Sequence, residues 1–153
     1  MELDDDIDSG NSDATGSAQA SNAPTILIVD DDTGFRLTTS EALKGTGFKV
    51  TETSSGEDAL SLFDEALPDL VLLDAIMPGM DGFEVCRQMQ KRRDTRSIPV
   101  VIMTGLGDMD SVNRAFESGA TDFVVKPINY AVLSSQIQFQ LRVARDLREL
   151  HII

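Results

Sequence analysis

Four carboxylates, one hydroxyl and one ammonium stand at the ends of short apolar runs in this sequence. ILIVD (26–30) opens into Asp30, Asp31 and Asp32, DLVLLD (69–74) ends in Asp74, IPVVIMT (98–104) ends in Thr104, and TDFVVK (121–126) ends in Lys126, with Pro127 next. Carboxylates brought face to face repel, and a hard divalent cation with oxygen ligands is the simplest way to keep them ionised. Mg2+ suits a few carboxylates, a backbone carbonyl and several retained waters. A lysine and a threonine hydroxyl across from such a cation would serve a bound anion. Metal, ammonium and hydroxyl together stabilise a transferring phosphoryl group. Asp74, the central carboxylate, is then the natural acceptor, because a carboxylate can form an acyl phosphate. Taken singly, each residue has a plainer explanation: an Asp after a strand caps a helix or a turn, Thr104 is a β-former, and Lys126 a solvated strand end.

Chemistry of that kind needs an architecture that gathers distant residues. Ile26–Asp30, Phe48–Thr53, Asp69–Asp74, Ile98–Thr104 and Thr121–Lys126 read as five strands, and three of them are almost continuously apolar, as strands covered on both faces are. Helical patterns lie between them at about 34–45, 55–67, 82–92 and 108–118, with a fifth from about 129. Gly45 and Gly47 close the first, Pro68 follows the second and Gly119 the fourth; Asp81 or Gly82 can start the third, and Asp108 the fourth. Such alternation implies parallel strands with right-handed crossovers, a doubly wound α/β fold whose functional crevice lies beyond the carboxyl ends of the strands.

The totals narrow the class. The 153 residues suit one domain, and 41% hydrophobic with 25% charged residues is a globular balance. Among apolar runs, none approaches the roughly 20 residues of a membrane span, and the acidic amino terminus is unlike a secretory signal, so a cytoplasmic location without membrane attachment is expected. The single Cys86 and single His151 offer neither a disulfide nor a zinc site. A net charge of −13 disfavours direct contact with nucleic acid. Residues 1–23 carry six acids and no base, with Leu3 and Ile7 the sizeable apolar residues. A disordered acidic tail is expected there, with an acidic docking or Mg2+-attracting arm as the functional alternative.

Quoted together, ILIVDDDTGFR (26–36), LVLLDAIMPGMDGFEV (70–85), IPVVIMTG (98–105) and ATDFVVKPI (120–128) resemble the receiver domain of bacterial two-component response regulators. The resemblance covers about residues 24–142 and implies a flavodoxin-like five-stranded sheet of order 2-1-3-4-5 flanked by five helices. It implies that Asp30 and Asp31 are the acidic metal pair, Asp74 the phosphoacceptor, and Ile76 the residue whose backbone carbonyl completes a Mg2+ shell, leaving Asp32 outside. Thr104 would turn inward to the phosphoryl group, Lys126 would pair with it, Gly105 would leave room for a backbone N–H, and Lys126–Pro127 would be cis. Phe123 takes the place of a rotating aromatic that is frequently Tyr. Ile76 and Leu106 sit where this family tunes water access; both are apolar here, so slow self-dephosphorylation is expected. Residues 77–82 (MPGMDG) form the loop after the acceptor, most of them turn geometry.

By the same resemblance the chain is a switch rather than a turnover enzyme. It would be phosphorylated by a sensor histidine kinase or phosphotransfer protein and signal through the face of the fourth helix, fifth strand and fifth helix. Residues 129–153 run on without a breaker, keeping helical apolar spacing through Val143, Leu147 and Leu150. Residues 143–153 are therefore expected to lead as a helical linker to an output domain of the parent chain; a homodimer through this helix or the switch face is the alternative. The join is similar to that of regulators with sensor, diguanylate cyclase (GGDEF) or cyclic-di-GMP phosphodiesterase (EAL) outputs. Two rivals remain: a nucleotide-binding enzyme, for which DDDTGFR supplies no glycine-rich loop, and a receiver-like interaction domain that works without phosphorylation.

Overall fold

Period-two alternation in the apolar strands divides the interior into two halves, one on each side of a single sheet. The computed structural model describes residues 22–105 and 109–150. In chain order the elements are β1 (Thr25–Val29), α1 (Thr33–Gly45), β2 (Lys49–Thr53), α2 (Gly56–Phe63), β3 (Leu70–Asp74), α3 (Gly82–Lys91), β4 (Val100–Thr104), α4 (Met109–Glu117), β5 (Asp122–Val125) and α5 (Tyr130–Leu150). All strand pairs are parallel, in the order β2-β1-β3-β4-β5.

Leu27, Val29, Val71, Leu73, Val100 and Ile102 point to one face, where Ala59 and Phe63 of α2, Phe83, Val85 and Met89 of α3 and Ala115 of α4 cover them. Ile26, Ile28, Leu70, Leu72, Val101 and Met103 point to the other, beneath Leu43 of α1 and Leu133 and Ile137 of α5. Every residue of β3 and β4 is buried, whereas the edge strands β2 and β5 are only partly covered. Each fully buried Leu or Ile contributes about 1.5–3 kcal/mol, so the central strands anchor the sheet from which the site projects.

Local chemistry sets the helix ends. Asp32, Ser55 and Asp81 cap α1, α2 and α3, each side chain accepting from the backbone N–H three residues on. Gly47 and Gly119 take φ of +98° and +107°, the left-handed conformation that ends α1 and α4 at little steric cost to glycine. The second helix is shorter than its expected span of 55–67. After Phe63 the N–H groups of Glu65 and Ala66 both turn to the Leu62 carbonyl, which closes the helix well before Pro68. Two strands also stop one residue early: β1 ends at Val29 and β5 at Val125, leaving Asp30 and Lys126 just past the ladder. Asp108, expected to cap α4, and the acidic amino-terminal stretch through residue 21 lie outside the described residues.

A Cβ at Gly82 would collide with the Asp74 backbone carbonyl, whereas one at Gly45 meets nothing within 4 Å. Backbone cannot yield as a flexible side chain can. Gly82→Ala is expected to lower unfolding free energy by about 3 kcal/mol in urea titration, while Gly45→Ala should be neutral or stabilising by up to about 1 kcal/mol.

Candidate functional site

Register brings the predicted residues together. Val29 lies level with Leu73 across β1 and β3, so Asp30 and Asp74, each one residue further, emerge side by side. Asp74 is level with Met103 and Thr104 with Val125, which sets Thr104 and Lys126 on the same edge of the sheet. One carboxylate oxygen from each of Asp30, Asp31 and Asp74 lies within 4.8 Å of the other two. Lys126 Nζ donates to Asp30 Oδ2 at 2.9 Å and stands 3.6 Å from Asp74 Oδ1.

The cluster holds more negative than positive charge. Asp30 is fully buried and uses both oxygens, taking the Asp32 N–H on Oδ1 at 2.9 Å and Lys126 on Oδ2. Asp74 is 8% exposed. Its carboxyl is pushed up from 3.8 to about 6, chiefly by burial and next by the Asp30 charge, with Asp31 adding to the rise. Lys126 and the Ile76 backbone N–H pull the other way and do not cancel it. For Lys126, burial works against the charged form, but the hydrogen bond to Asp30 and the charge of Asp74 more than offset it, so its proton is held more tightly than usual. One ammonium therefore faces three carboxylates. An oxygen-seeking divalent cation fits this donor set: it would neutralise the excess and relieve the penalty on ionised Asp74.

Other predicted residues surround the cluster in distinct ways. Asp32 is outside it, spent on capping α1 by accepting from Phe35 N at 3.0 Å. The Thr104 hydroxyl donates to the Val124 carbonyl at 3.4 Å, so it rests against β5 rather than over Asp74. Gly105 borders open space, with nothing within 4 Å of an added Cβ. Phe123 packs edge-on against Phe116 of α4, ring centres 6.0 Å apart, and its ring lies partly open on the α4–β5 side. The Ile76 side chain is 69% exposed at the mouth of the site. The Lys126–Pro127 peptide is cis. Leu106 lies outside the described residues.

Three residues around the site were missed from the sequence. The Phe35 ring lies 4.1 Å from the Lys126 ammonium, a cation–π contact that shields one side of the ion pair. Arg36 donates through Nη1 to the Asp30 carbonyl at 2.7 Å and pairs through Nε with Glu52 at 3.2 Å, tying β1, α1 and β2 together behind the acids. The signal was available: with Asp32 as the cap, Phe35 and Arg36 fall in the first turn of α1, directly above the end of β1.

The family model for the response regulator receiver domain matches residues 26–138. The chain belongs to that family. It is 40% identical over 119 residues to the transcriptional regulatory protein AfsQ1 of Streptomyces coelicolor, a match covering 78% of this chain and 52% of that protein. It is 39% identical over 126 residues to the response regulator PleD of Caulobacter vibrioides, covering 82% of this chain and 28% of PleD. The chain thus spans about half of one of these curated relatives and little over a quarter of the other. Among solved structures, the signal receiver domain of a histidine kinase from Syntrophus aciditrophicus superposes with a TM-score of 0.74 at 36% identity, covering 78% of this chain and 91% of that one. This is a two-component receiver domain, with the sheet order 2-1-3-4-5 that its sequence implied. Among the described residues no helix is long and apolar enough to cross a membrane.

Raising the Asp74 carboxyl to about 6 means that its protonated form favours the folded state. That stabilisation is complete below about pH 4, the unfolded value, and is lost as pH rises through about 6. In EDTA, Asp74→Asn should therefore gain up to about 3 kcal/mol over the unsubstituted protein at pH 8, a gain that fades towards pH 4. Denaturant titrations at the two pH values measure it; a gain of equal size at both would contradict the electrostatic origin.

Proposed function

We propose that this receiver domain is a phosphoacceptor switch, not a turnover enzyme, and that Asp74 accepts the phosphoryl group. One observation carries the reading: three carboxylates converge within 4.8 Å while a single ammonium reaches both Asp30 and Asp74. Asp30, Asp31, Asp74 and the Ile76 backbone carbonyl are the groups assigned to Mg2+. When bound, the ion supplies charge neutralisation for the carboxylates and for the incoming phosphoryl oxygens.

The donor is a phosphohistidine of a sensor histidine kinase or phosphotransfer protein. An Asp74 carboxylate oxygen bonds to phosphorus as the P–N bond breaks, and the imidazole leaves with that electron pair. Lys126, already 3.6 Å from Asp74, is placed to pair with a phosphoryl oxygen. Thr104 exchanges its 3.4 Å bond to Val124 for the phosphoryl group, Gly105 offers its backbone N–H, and Phe123 repacks into the space that Thr104 vacates. Two packings of the α4–β5–α5 face follow, and phosphorylation biases one of them. This face and the long α5 are also the surfaces through which a homodimer would form.

Output is assigned to a further domain of the parent chain. Support comes from α5, which buries Leu133, Ser134 and Ile137 and then continues to Leu150 with Val143, Leu147 and Leu150 exposed. The similarity of its sequence to the join in regulators with GGDEF or EAL modules points to cyclic-di-GMP signalling in the cytoplasm. The parent gene past Ile153 tests this; a helix-turn-helix in that position would replace it with direct transcriptional control.

Incubation with acetyl phosphate and Mg2+ should add one phosphoryl group by intact mass, and Asp74→Asn or excess EDTA should prevent it. An unmodified mass under these conditions would instead favour an interaction domain that works without phosphorylation. With Ile76 apolar at the mouth, its side chain cannot orient an attacking water. The acyl phosphate should outlast a lifetime of seconds in Mg2+, and Ile76→Asn should shorten it, as followed by loss of the phosphorylated mass over time.

A further inference from the structure

The end of the sheet opposite the acidic cluster holds a group of arginines, interspersed with Asp69, Asp94, Asp146 and Glu149. Arg93 and Arg96, after α3, and Arg142, Arg145 and Arg148, on the last turns of α5, are all exposed. They make up five of the 13 basic residues in a chain of net charge −13. Of these five, only Arg145 has an ion pair among the described residues, a loose one at 3.8 Å to its neighbour Asp146. The nearby Asp94 is already engaged by Arg92 at 2.9 Å.

Two clefts flank these turns. A groove of about 760 Å³ has Arg93, Arg96 and Arg148 beside the apolar Ile98, Val143 and Leu147. On the other side of the helix, a cleft of about 540 Å³ is lined by Arg142, Arg145 and Arg148 together with Asn22 and Pro24. Arg148 borders both clefts. The chain therefore enters β1 alongside the basic turns of α5, with Asn22 and Pro24 lining that cleft.

The residues preceding Asn22 have the complementary composition. Glu2, Asp4, Asp5, Asp6, Asp8 and Asp13 supply six acids without a base, and Leu3 and Ile7 are interspersed among them. We propose that the segment Glu2–Asp13 docks within its own molecule, its acids on Arg93, Arg96, Arg142 and Arg148 and its Leu3 and Ile7 in the groove beside Val143 and Leu147. Reach is sufficient. Residues 14–21 can span roughly 26 Å when extended, against a helix diameter of about 10–12 Å between the two clefts. The other end of the sheet is a poor alternative, since Asp30, Asp31 and Asp74 would repel the same acids. Docking here is independent of whether Asp74 is phosphorylated. It would cover the apolar side of the α5 extension that a second copy or an output domain would otherwise meet.

A nitroxide on Ser9→Cys in the full chain tests the contact; Cys86 is fully buried and should not compete for the label. In 15N spectra at low ionic strength, backbone signals of residues 93–98 and 140–148 should be selectively attenuated. The attenuation should vanish in about 1 M NaCl, where the Debye length is roughly 3 Å. It should also vanish on joint Arg93→Glu and Arg148→Glu substitution and, independently, on changing Asp4, Asp5, Asp6 and Asp8 to Asn. Absence of selective attenuation would overturn the proposal. Attenuation near Asp31 and Ile76 would overturn it in favour of an arm at the metal site. Attenuation that persists when nitroxide and 15N reside on different molecules would make a second copy the occupant.

Discussion

Lys126 is the sole ammonium set against Asp30, Asp31 and Asp74, and this imbalance is the constraint on which the rest of the domain depends. The lysine bridges strands that are not neighbours, reaching from the end of edge strand β5 past β4 and β3 to Asp30 at the end of β1. It holds one buried carboxylate fully and another only partly, so the site is poised rather than satisfied. A buried acid with an incomplete counter-charge is costly in a structure that does nothing else, which marks this cluster as the candidate functional site.

That poise needs a rigid platform. Asp74 leaves a strand with every residue buried, and its backbone carbonyl is packed so closely beneath Gly82 that no side chain fits there. Asp30 is held from behind by Arg36 on its carbonyl and by its own N–H on Thr53. More loosely held residues lie on the β4–β5 side. Thr104 rests on a long hydrogen bond, Gly105 borders open space, and Phe123 lies partly open against Phe116. The acidic cluster is thus built chiefly on β1 and β3, with Thr104, Gly105 and Phe123 beside it on β4 and β5.

Charge is divided along the long axis of the sheet as well. Three acids converge at the carboxyl ends of the strands, and several exposed arginines lie near the amino ends, where α5 overruns the core.

Much of this was readable from the chain alone. Continuous apolar runs ending in Asp30, Asp74, Thr104 and Lys126 determined strand number, parallel pairing and the identity of the central acids, because strands buried on both faces leave only their ends for polar chemistry. Tertiary structure decided what depends on neighbours distant in sequence. It set the short span of α2, closed by the Leu62 carbonyl, and the placing of Phe35 against Lys126 and of Arg36 behind Asp30. It also supplied the physical cause of the difference between Asp31 and Asp32 that the family resemblance implied: Asp32 is spent as a helix cap, while Asp31 turns to the cluster. Side-chain type is local, but direction, burial and shared charge arise only when the strands have packed.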